Sequence, residues 1–332
     1  MNIAIVGATG NVGRKILEVL EKKNFRVDNL HLLASTKSLG SSLNFKGKDI
    51  KIELLDDFDF SKVDLTFFSA GGKISEKFAP KAAKNSIVVD NSSFFRMDPE
   101  VPLIVPQVNP NDMKNIPKNI IANPNCSTAQ LVIVLKPLHD SYKIKRVVVS
   151  TYQSTSGAGK APMDEMVEQT MAIINSKKVS SENFTKQIAF NAIPHIDAFA
   201  EDGYTKEELK MIHETKKILD DKIELTATCV RIPVKVSHAE SVNIEFEKPF
   251  TVKKIIETLN NSPGCKVFDK RENAGYITPV DAEGKNETFV SRIREDNSKN
   301  NSLNLWIVSD NLLRGAALNA VEIAETYFRM GK

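Results

Sequence analysis

Short apolar runs alternate with helical patterns through the first third of the chain. The apolar runs predict buried β-strands at residues 2–6, 30–34, 65–69 and 87–90. Apolar positions recur at helical spacing over 11–22 and 75–84, which predicts helices between those strands. Strands that alternate with helices are typical of an α/β fold with a parallel, doubly wound sheet.

Small or polar residues follow the strand-like and extended runs. They are Gly7, Ser35, Gly71, Asn91 and Cys126. In a doubly wound sheet, ligands bind at the carboxyl ends of the strands. We therefore expect these five positions to converge at that edge of the sheet.

Longer strand patterns with few helices between them distinguish the second half of the chain. The strands are predicted at residues 146–151, 224–234, 241–247, 287–294 and 303–309. A helical pattern covers 163–174, and a capping box from Thr205 to Glu208 begins a helix that runs to about Leu219. This arrangement predicts a mixed or antiparallel sheet, and hence an α+β domain. A last helical pattern covers 311–330.

The composition is that of an ordinary globular enzyme. The 332 residues are enough for roughly two domains, and 41% are hydrophobic and 26% charged. Lys and Arg number 45 against 42 Asp and Glu. The resulting net charge of +3 is too small to indicate binding to nucleic acid or to membranes.

Three cysteines, Cys126, Cys229 and Cys265, occur in the chain. Such an odd, low number does not indicate a disulfide framework and suits a reducing compartment. Neither the cysteines nor the five histidines have the spacing of a metal site, so we expect no metal. The first residues have a strand pattern and not that of a signal peptide, so we expect a cytoplasmic protein.

A glycine turn joins the first strand to the first helix, where a dinucleotide pyrophosphate binds in many α/β proteins. The turn is Gly7-Ala8-Thr9-Gly10-Asn11-Val12-Gly13. Its glycines let backbone N–H groups approach a phosphate closely. The turn therefore predicts nucleotide binding, and the alternative is a tight turn that binds nothing.

The residues after the second strand predict which nicotinamide cofactor fits. An NAD site usually has Asp or Glu there to bind the ribose 2′-hydroxyl. This chain has Ser35, Lys37 and Ser38 and no acid. Hydroxyls and an ammonium group can bind a 2′-phosphate, which favours NADP(H) over NAD(H). The alternative is a solvated polar loop.

Cys126 lies in a polar turn, residues 123–128, that runs into an apolar helical pattern at 129–138. At a helix N-terminus, unpaired N–H groups and the helix dipole favour thiolate over thiol. A thiolate attacks carbonyl and acyl-phosphate carbons, so Cys126 is a candidate nucleophile. The alternative is a small buried hydrophobic residue. We interpret Cys229 and Cys265 as structural.

Thioester chemistry also needs an acid or base, and histidine suits neutral pH. His238 follows a predicted strand, but the pattern alone leaves His31, His139, His195 and His213 open as well. On the strand before His238, Arg231 shares a face with apolar residues and so needs an anion partner. A substrate carboxylate or a structural Glu would satisfy it.

Further polar residues are candidates for substrate or cofactor binding, each with a plainer alternative. Glu207 and Lys210 lie on one helical face, where a surface ion pair is the simpler interpretation. Arg96 lies just past a strand and could bind phosphate or lie on the surface against Phe94 and Phe95. Gln153 could orient a carbonyl. The segment that could approach a cofactor closely is Ser156-Gly157-Ala158-Gly159.

These motifs together resemble the aspartate-semialdehyde dehydrogenase family, nearly end to end. Besides the glycine turn, the matching segments are residues 69–72 (SAGG), 123–128 (NPNCST), 153–159 (QSTSGAG), 191–197 (NAIPHID), 207–210 (EELK), 231–234 (RIPV) with His238, and 310–317 (DNLLRGAA). So many motifs in the same order make the resemblance highly specific.

The resemblance implies an enzyme that makes L-aspartate-4-semialdehyde from L-4-aspartyl phosphate, with NADPH as reductant and phosphate as product. It serves the synthesis of lysine, threonine, methionine and diaminopimelate. The roles that it implies are Cys126 as the nucleophile that forms an aspartyl thioester, His238 as acid/base, Gln153 orienting the intermediate, Asn125 at the oxyanion, Arg96 and Lys210 as phosphate ligands, Arg231 at the substrate carboxylate and Glu207 near its amino group.

The resemblance also implies the cofactor residues and the assembly. The cofactor-binding residues are Gly7, Ala8, Thr9, Gly10, Asn11, Val12, Gly13, Ser35, Lys37, Ser38, Ser69, Gly71, Gly72, Ser156, Gly157, Ala158, Gly159 and Asn311. The implied domains are a Rossmann-like NADP-binding domain, 1–125 and 311–332, and an α+β catalytic and dimerisation domain, 126–310. The C-terminal helix returns to the nucleotide domain, and members form homodimers or homotetramers.

The chain departs from the family pattern at Lys37, and two alternative assignments stay open. Many bacterial members have arginine at the position of Lys37, and lysine lacks its planar, stacking guanidinium, so NADP preference is expected to be weaker. The alternatives are the related N-acetyl-glutamyl-phosphate reductase and a catalytically silent nucleotide-binding paralogue. The reductase usually has a Pro-Gly-Cys-Tyr-Pro-Thr-like motif, whereas Cys126 lies in Pro-Asn-Cys-Ser-Thr.

Overall fold

The computed structural model describes residues 1–331, which divide into two compact units. The first unit is Met1–Asn125 with Ala316–Lys332, and the second is Cys126–Gly315. The assignment of cofactor binding to the first unit and of catalysis to the second stays a prediction at this point. The three cysteines are free thiols.

The β-strands come in chain order as follows. They are β1 Asn2–Val6, β2 Asn29–Ala34, β3 Ser42–Phe45, β4 Lys48–Leu54, β5 Leu65–Phe68, β6 Ile87–Asp90, β7 Ile120–Ala122, β8 Ile144–Gln153, β9 Glu224–Arg231, β10 His238–Phe246, β11 Cys265–Val267, β12 Thr288–Glu295 and β13 Ser302–Ser309.

The α-helices lie between and after these strands. They are α1 Asn11–Lys22, α2 Gly72–Ala82, α3 Cys126–Tyr142, α4 Lys160–Ile174, α5 Lys206–Ile218, α6 Val252–Asn260, α7 Pro279–Ala282 and α8 Leu318–Arg329.

The first unit contains a sheet with strand order β3-β4-β2-β1-β5-β6-β7. All pairs are parallel except β3 with β4, so the predicted doubly wound parallel sheet is confirmed. Its central strand β1 is fully buried from Ile3 to Val6 because both faces are covered, which explains its continuous apolar run.

The hairpin β3–β4 was missed by the sequence analysis. Its strands alternate polar and apolar residues, and most of its side chains are exposed. Lys46 and Gly47 form the turn with positive φ of 51° and 78°. An edge hairpin buries one face at most, so it lacks the continuous apolar run that marks a central strand.

Polar and glycine positions of the first unit lie at the carboxyl ends of its strands, as predicted. The N–H of Gly7 donates to Leu33 O of β2 at 2.8 Å. The Asn91 side chain donates to Phe68 O of β5 at 3.1 Å, and the N–H of Asn123 donates to Asp90 O of β6 at 2.8 Å. The carboxyl ends of these neighbouring parallel strands are therefore followed by polar or glycine residues at one edge of the sheet.

The second unit contains a mixed sheet with strand order β11-β12-β13-β10-β8-β9. The pairs β8–β9 and β11–β12 are parallel and the others antiparallel, so the predicted mixed sheet is confirmed. Helix α3 packs against this sheet through an apolar cluster that includes Leu131, Val134 and Leu138 from α3 and Val242 and Ile244 from β10.

Several predicted boundaries are corrected. Strand β9 ends at Arg231 and not at residue 234, and His238 begins β10 instead of following a strand. Helix α2 begins at Gly72 and not at residue 75, and Cys265 begins the short strand β11, which was not predicted. Helix α6 was not predicted.

The predicted C-terminal helix is divided. Residues Leu313–Ala317 form a π-helical turn, and α8 begins only at Leu318. Helix α8 belongs to the first unit, as expected, where Asn319 donates to Ile104 O at 3.0 Å and Lys23 pairs with Glu325 at 2.8 Å.

Neither a membrane helix nor a metal cluster is found within residues 1–331. No helix in that range is long and apolar enough to cross a membrane. No group of three or more His, Cys, Asp or Glu side chains there could hold a metal ion.

The capping box of α5 predicts a stability cost. The Thr205 hydroxyl accepts from the N–H of Glu208 at 3.3 Å, and the Glu208 carboxylate accepts from the N–H of Thr205 at 2.7 Å. Thr205→Ala should lower the free energy of unfolding by about 1 to 2 kcal/mol, because it leaves a buried helix end uncapped. Urea unfolding measures this value.

The matched control is Thr251→Ala. Thr251 caps α6 with a single bond to the N–H of Lys254 and lies exposed. It should cost only about 0.5 kcal/mol. Equal losses in the two variants would contradict the role given to the reciprocal box.

Candidate active site

Cys126 is the first residue of α3, as predicted. It is half-buried, while the helix that follows is buried along most of its length. The apolar residues of α3 fix the helix on the sheet of the second unit, so the position of the thiol is set by the core. The N–H groups of the first turn place positive partial charge near the sulfur.

Gly315 packs directly against Cys126. A Cβ atom at position 315 would lie 2.6 Å from the Cys126 Cβ and 2.9 Å from its Cα. Only glycine allows this approach, which occurs in the π-helical turn after β13. π-Turns are frequent at functional sites. The sequence analysis did not single out Gly315, although it lies within the matching segment 310–317.

His238 is fully buried at the start of β10. Its Nδ1 accepts a hydrogen bond from the N–H of Ser154 at 3.0 Å, so the proton of the neutral ring lies on Nε2. Burial and the nearby Arg231 lower the pKa of His238 to about 3. Nε2 has no hydrogen-bond partner within residues 1–331. The ring is therefore neutral and presents an N–H group.

A network of hydroxyl and amide groups lies on the Nδ1 side of the His238 ring. Asn311 Oδ1 accepts from the Ser154 hydroxyl at 3.1 Å and from the N–H of Ser237 at 2.9 Å. Asn311 Nδ2 donates to the Ser156 hydroxyl at 3.1 Å. The predicted cofactor residues Ser156 and Asn311 are thus brought together, and Ser154, which was missed, links them to His238.

Arg231 ends β9 and is almost fully buried. Its Nη1 donates to Ser154 O at 2.6 Å. Burial lowers the pKa of Arg231, whereas the charges of Glu207 and Cys126 raise it. No carboxylate within residues 1–331 forms an ion pair with this guanidinium, so the structural Glu considered above is not its direct partner.

Gly157 completes the contact between these groups. A Cβ atom there would lie 3.0 Å from His238 Nε2 and 3.3 Å from Arg231 Nη1. Gly157, His238 and Arg231 therefore share one small space in which no side chain fits at position 157. Gly159, with φ of 114°, precedes α4.

A buried polar chain connects β8 with α5. Gln153 accepts from the Thr151 hydroxyl at 2.9 Å and donates to Glu207 at 3.1 Å. Lys210 pairs with Glu207 at 3.1 Å and with Asp197 at 2.7 Å. The ion pair between Glu207 and Lys210 considered above is therefore present, but it does not lie on the surface, because Glu207 is buried. Thr151 and Asp197 were missed by the sequence analysis.

The charge state of Lys210 follows from these neighbours. Burial alone would lower the pKa of Lys210, but the carboxylates of Glu207 and Asp197 outweigh it and raise the pKa above its usual value. Desolvation alone would raise the pKa of Asp197, but the hydrogen bonds from Lys210 and from the N–H of Ala198, together with the Lys210 charge, outweigh it and lower the pKa. Lys210 is therefore a fixed cation on the inner face of α5.

Arg96 and Asn125 are buried in the first unit. The Arg96 guanidinium donates to Asn123 O at 2.9 Å and to Asn91 O at 2.8 Å. These carbonyls follow β7 and β6, so Arg96 is fixed at the carboxyl edge of the sheet. The interpretation as a surface arginine is wrong, because its side chain is held by two main-chain acceptors.

The glycine turn has the geometry of a phosphate cradle. A Cβ atom at Gly13 would lie 2.3 Å from Gly7 O and 2.7 Å from Ala8 Cα. Gly7 has φ of 82°. Asn11 Nδ2 is buried and has no hydrogen-bond partner within residues 1–331, so the turn that also contains Thr9, Gly10 and Val12 holds a donor that no protein group uses. These features fit the pyrophosphate of a dinucleotide.

The loop after β2 contacts this turn. Thr36–Ser38 form a short 3₁₀ turn, and the Ser38 hydroxyl lies 3.2 Å from the Thr9 hydroxyl. Ser35 and Lys37 are exposed beside it. After β5, the Ser69 hydroxyl donates to Val6 O at 3.0 Å, and Gly71 has φ of 89° just before Gly72 begins α2. The cofactor residues predicted in the first unit therefore line one edge.

Two family models match the chain. Residues 2–116 match the NAD-binding domain of semialdehyde dehydrogenases, and residues 135–314 match their dimerisation domain. An aspartate-semialdehyde dehydrogenase of Aquifex aeolicus is 52% identical over 334 aligned positions, which cover 99% of this chain and 98% of that protein. The chain belongs to the aspartate-semialdehyde dehydrogenase family.

Other relatives agree. An aspartate-semialdehyde dehydrogenase of Rickettsia bellii is 48% identical and covers 98% of this chain and 96% of its own length. The crystal structure of aspartate semialdehyde dehydrogenase II from Vibrio cholerae complexed with ASA superposes with a TM-score of 0.97 at 46% identity. It covers 99% of this chain and 98% of that chain.

Family membership makes the chain an oxidoreductase of amino-acid biosynthesis that acts on small molecules and uses a nicotinamide cofactor. Its second unit carries a dimerisation domain of semialdehyde dehydrogenases, which indicates an oligomer. The relatives support this family over N-acetyl-glutamyl-phosphate reductase and over a silent paralogue. The roles of individual site residues stay predictions.

The cradle predicts a specific loss of cofactor affinity in Gly13→Ala. The new methyl group would overlap the Gly7 carbonyl, so the turn must open and its N–H groups must move. We expect NADPH affinity to fall at least about tenfold, as measured by fluorescence titration. Gly10→Ala, whose Cβ would lie 3.4 Å from Gly7 O, should have a smaller effect. Equal effects would contradict the steric account.

The buried neutral histidine predicts a pH-dependent stability. His238 titrates at about 3 in the folded chain, against about 6.5 when unfolded, so its contribution is complete above pH 6.5 and is lost as pH falls. Between pH 7.5 and 5, wild type should lose about 2 kcal/mol of unfolding free energy that His238→Gln retains. Denaturant unfolding across pH measures this difference.

The control is His213→Gln on the exposed face of α5. It should follow the pH dependence of wild type. A parallel decline in the His238→Gln variant would show that His238 does not carry the effect.

Proposed function

We propose that the chain catalyses the reduction of L-4-aspartyl phosphate to L-aspartate-4-semialdehyde, with release of phosphate, through a thioester on Cys126. The observation that carries the proposal is Arg231. It is a buried cation in the electrostatic field of Cys126, and within residues 1–331 it has no carboxylate partner. A substrate carboxylate would supply the missing anion beside the nucleophile.

The nucleophilic step follows from the position of Cys126. At the N-terminus of α3 the thiolate is favoured, and it attacks the carbonyl carbon of the acyl phosphate. The new C–S bond forms as the C–O bond to phosphate breaks. Arg96 and Lys210 stay our predicted phosphate ligands, and both are cations fixed by hydrogen bonds. Asn125 stays a predicted oxyanion donor.

The nicotinamide cofactor supplies hydride to the thioester when it is bound. We propose that NADPH is preferred, because Ser35, Lys37 and Ser38 offer hydroxyls and a charge to a 2′-phosphate and no acid repels it. The preference should be weaker than with arginine at position 37. Asn311 and the segment 156–159 are the proposed contacts in the second unit.

His238 stabilises the oxygen that gains charge. Its neutral ring offers the Nε2 proton, and its orientation is fixed by the N–H of Ser154. A neutral imidazole can stabilise an oxyanion by donating a hydrogen bond, and it exchanges the proton as the thiohemiacetal collapses. Gln153, at the end of the neighbouring strand β8, would orient the intermediate, since Thr151 and Glu207 fix its amide.

The α-carboxylate and the amino group of the substrate carry charges opposite to those of two buried side chains in the second unit. Arg231 would bind the α-carboxylate, and Glu207 would accept from the amino group. Binding both ends makes the attack by Cys126 effectively unimolecular. The Vibrio cholerae relative has been crystallised with ASA, which supports aspartate semialdehyde as the product here.

The wider role follows from the family. We propose that the product feeds the synthesis of lysine, threonine, methionine and diaminopimelate, and that the chain forms a homodimer or homotetramer. The cytoplasmic location inferred from the sequence stays a prediction.

Cys126→Ala should abolish phosphate-dependent oxidation of aspartate semialdehyde, because no other thiol can form the thioester. The assay follows NADPH formation from NADP⁺, with NAD⁺ and N-acetyl-glutamate semialdehyde in parallel arms. Cys265→Ala is the control, since burial raises the pKa of Cys265 to about 12 and it stays a thiol. Near wild-type activity in Cys126→Ala would overturn the proposed function.

A further inference from the structure

Two buried polar side chains, Gln130 and Glu240, lie next to the proposed catalytic residues on the same helix and the same strand. Gln130 follows Cys126 by four residues on α3, which is one helical turn on the same face. Glu240 follows His238 by two residues on β10, which places it on the same face of the strand. Helix α3 packs against β10, and the Gln130 side chain lies close enough to Glu240 to affect its titration.

Neither side chain has a satisfied polar group. Gln130 and Glu240 are both 0% exposed. Both amide atoms of Gln130 and both carboxyl oxygens of Glu240 lack a hydrogen-bond partner within residues 1–331. Thr151 is paired in register with Glu240, but its hydroxyl donates to Gln153. Four such atoms in a core are costly unless they pair with each other.

The surroundings favour an uncharged Glu240. No Lys, Arg or His within residues 1–331 forms an ion pair with it, and burial raises its pKa well above the usual value. Gln130 lies close enough to Glu240 to oppose this rise in part, although the two groups do not reach hydrogen-bond geometry. Two further titratable groups lie on neighbouring positions: His238 is two residues away on the same strand, and the Cys229 thiol on β9, whose pKa burial raises, is affected by Glu240.

A protonated carboxyl and a primary amide are chemically complementary. Each offers one donor and one acceptor in the same plane, so two reciprocal hydrogen bonds can form. An ionised carboxylate could only accept, and the Gln130 carbonyl would then face it unpaired. The next residues on the same faces of α3 and β10 are apolar: Val134 follows Gln130 by one helical turn, and Val242 follows Glu240 by two strand positions. The pair therefore marks the boundary between the site and the core.

We propose that Glu240 is a permanently neutral acid paired with the Gln130 amide, and that this pair is a positioning link between the helix of Cys126 and the strand of His238. The pairing stands on the burial and facing of the two side chains, whereas its effect on catalysis rests on the proposed function. A negative charge at Glu240 would oppose a thiolate at Cys126 and favour a protonated His238, so neutrality suits both roles.

The protonation state is tested directly by infrared spectroscopy of the full chain at pH 8. The wild-type minus Glu240→Gln difference spectrum should contain the C=O stretch of a protonated carboxylic acid. The control is Glu245→Gln on the same strand, because Glu245 pairs with Lys145 at 3.3 Å and Lys299 at 3.4 Å. Its difference spectrum should contain only bands of an ionised carboxylate.

The positioning role is tested by conservative and apolar variants. Glu240→Gln keeps shape and neutrality, so kcat should stay within about twofold of wild type, with an unchanged pH profile. Gln130→Leu and Glu240→Leu each leave one partner unpaired and should lower kcat at least about tenfold. The double variant removes both polar groups, so it should unfold at a higher denaturant concentration than either single variant.

Three results would overturn the proposal. They are the absence of the protonated-acid band, a shifted pH profile in Glu240→Gln, and additive destabilisation in the double variant. The infrared and unfolding measurements do not depend on activity. An inactive wild type would therefore count against the proposed function alone, and a missing acid band in an active wild type would count against the pair alone.

Discussion

The main chain of Ser154 is the point on which the second unit's polar site depends. Its carbonyl accepts from Arg231, and its N–H donates to His238 Nδ1. One residue thus fixes a buried cation and the tautomer of a neutral imidazole at the same time. Both bonds use main-chain atoms, so no side-chain substitution at position 154 removes them directly. The positions of the two side chains therefore follow from the fold.

The sheet register explains how this is possible. Strand β8 lies between β9 and β10, with Gln153 paired to Arg231 on one side and Tyr152 to Ala239 on the other. Strands β8 and β9 end at the level at which the antiparallel strand β10 begins, so Arg231, Ser154 and His238 meet where β8 ends. Glycine at position 157 then turns the chain past both side chains without adding a Cβ atom to the space between them. Register and the missing Cβ together produce the geometry of the site.

Much of this arrangement could be predicted, whereas the exceptions depend on contacts that a local sequence pattern does not display. The bounds of β1 and α1 and the capping box of Thr205 depend on local periodicity and local hydrogen bonds, which a sequence displays. The burial of Glu207 and Arg96 could not be predicted, because it depends on distant segments that cover them. Ser154 was missed because its bonds to Arg231 and His238 use main-chain atoms, which are the same in every residue, and because its hydroxyl meets Asn311 only in the fold.

The charge balance of the second unit explains why these exceptions matter. Arg231 is buried without an ionic partner within residues 1–331, and burial lowers its pKa and that of His238. An unpaired buried cation is costly for folding, and a ligand that brings an anion recovers that cost on binding. Because His238 stays neutral, it does not compete with Arg231 for that anion. The site is thus least stable when empty, and the energy released by carboxylate binding can be used to orient the carbonyl toward Cys126.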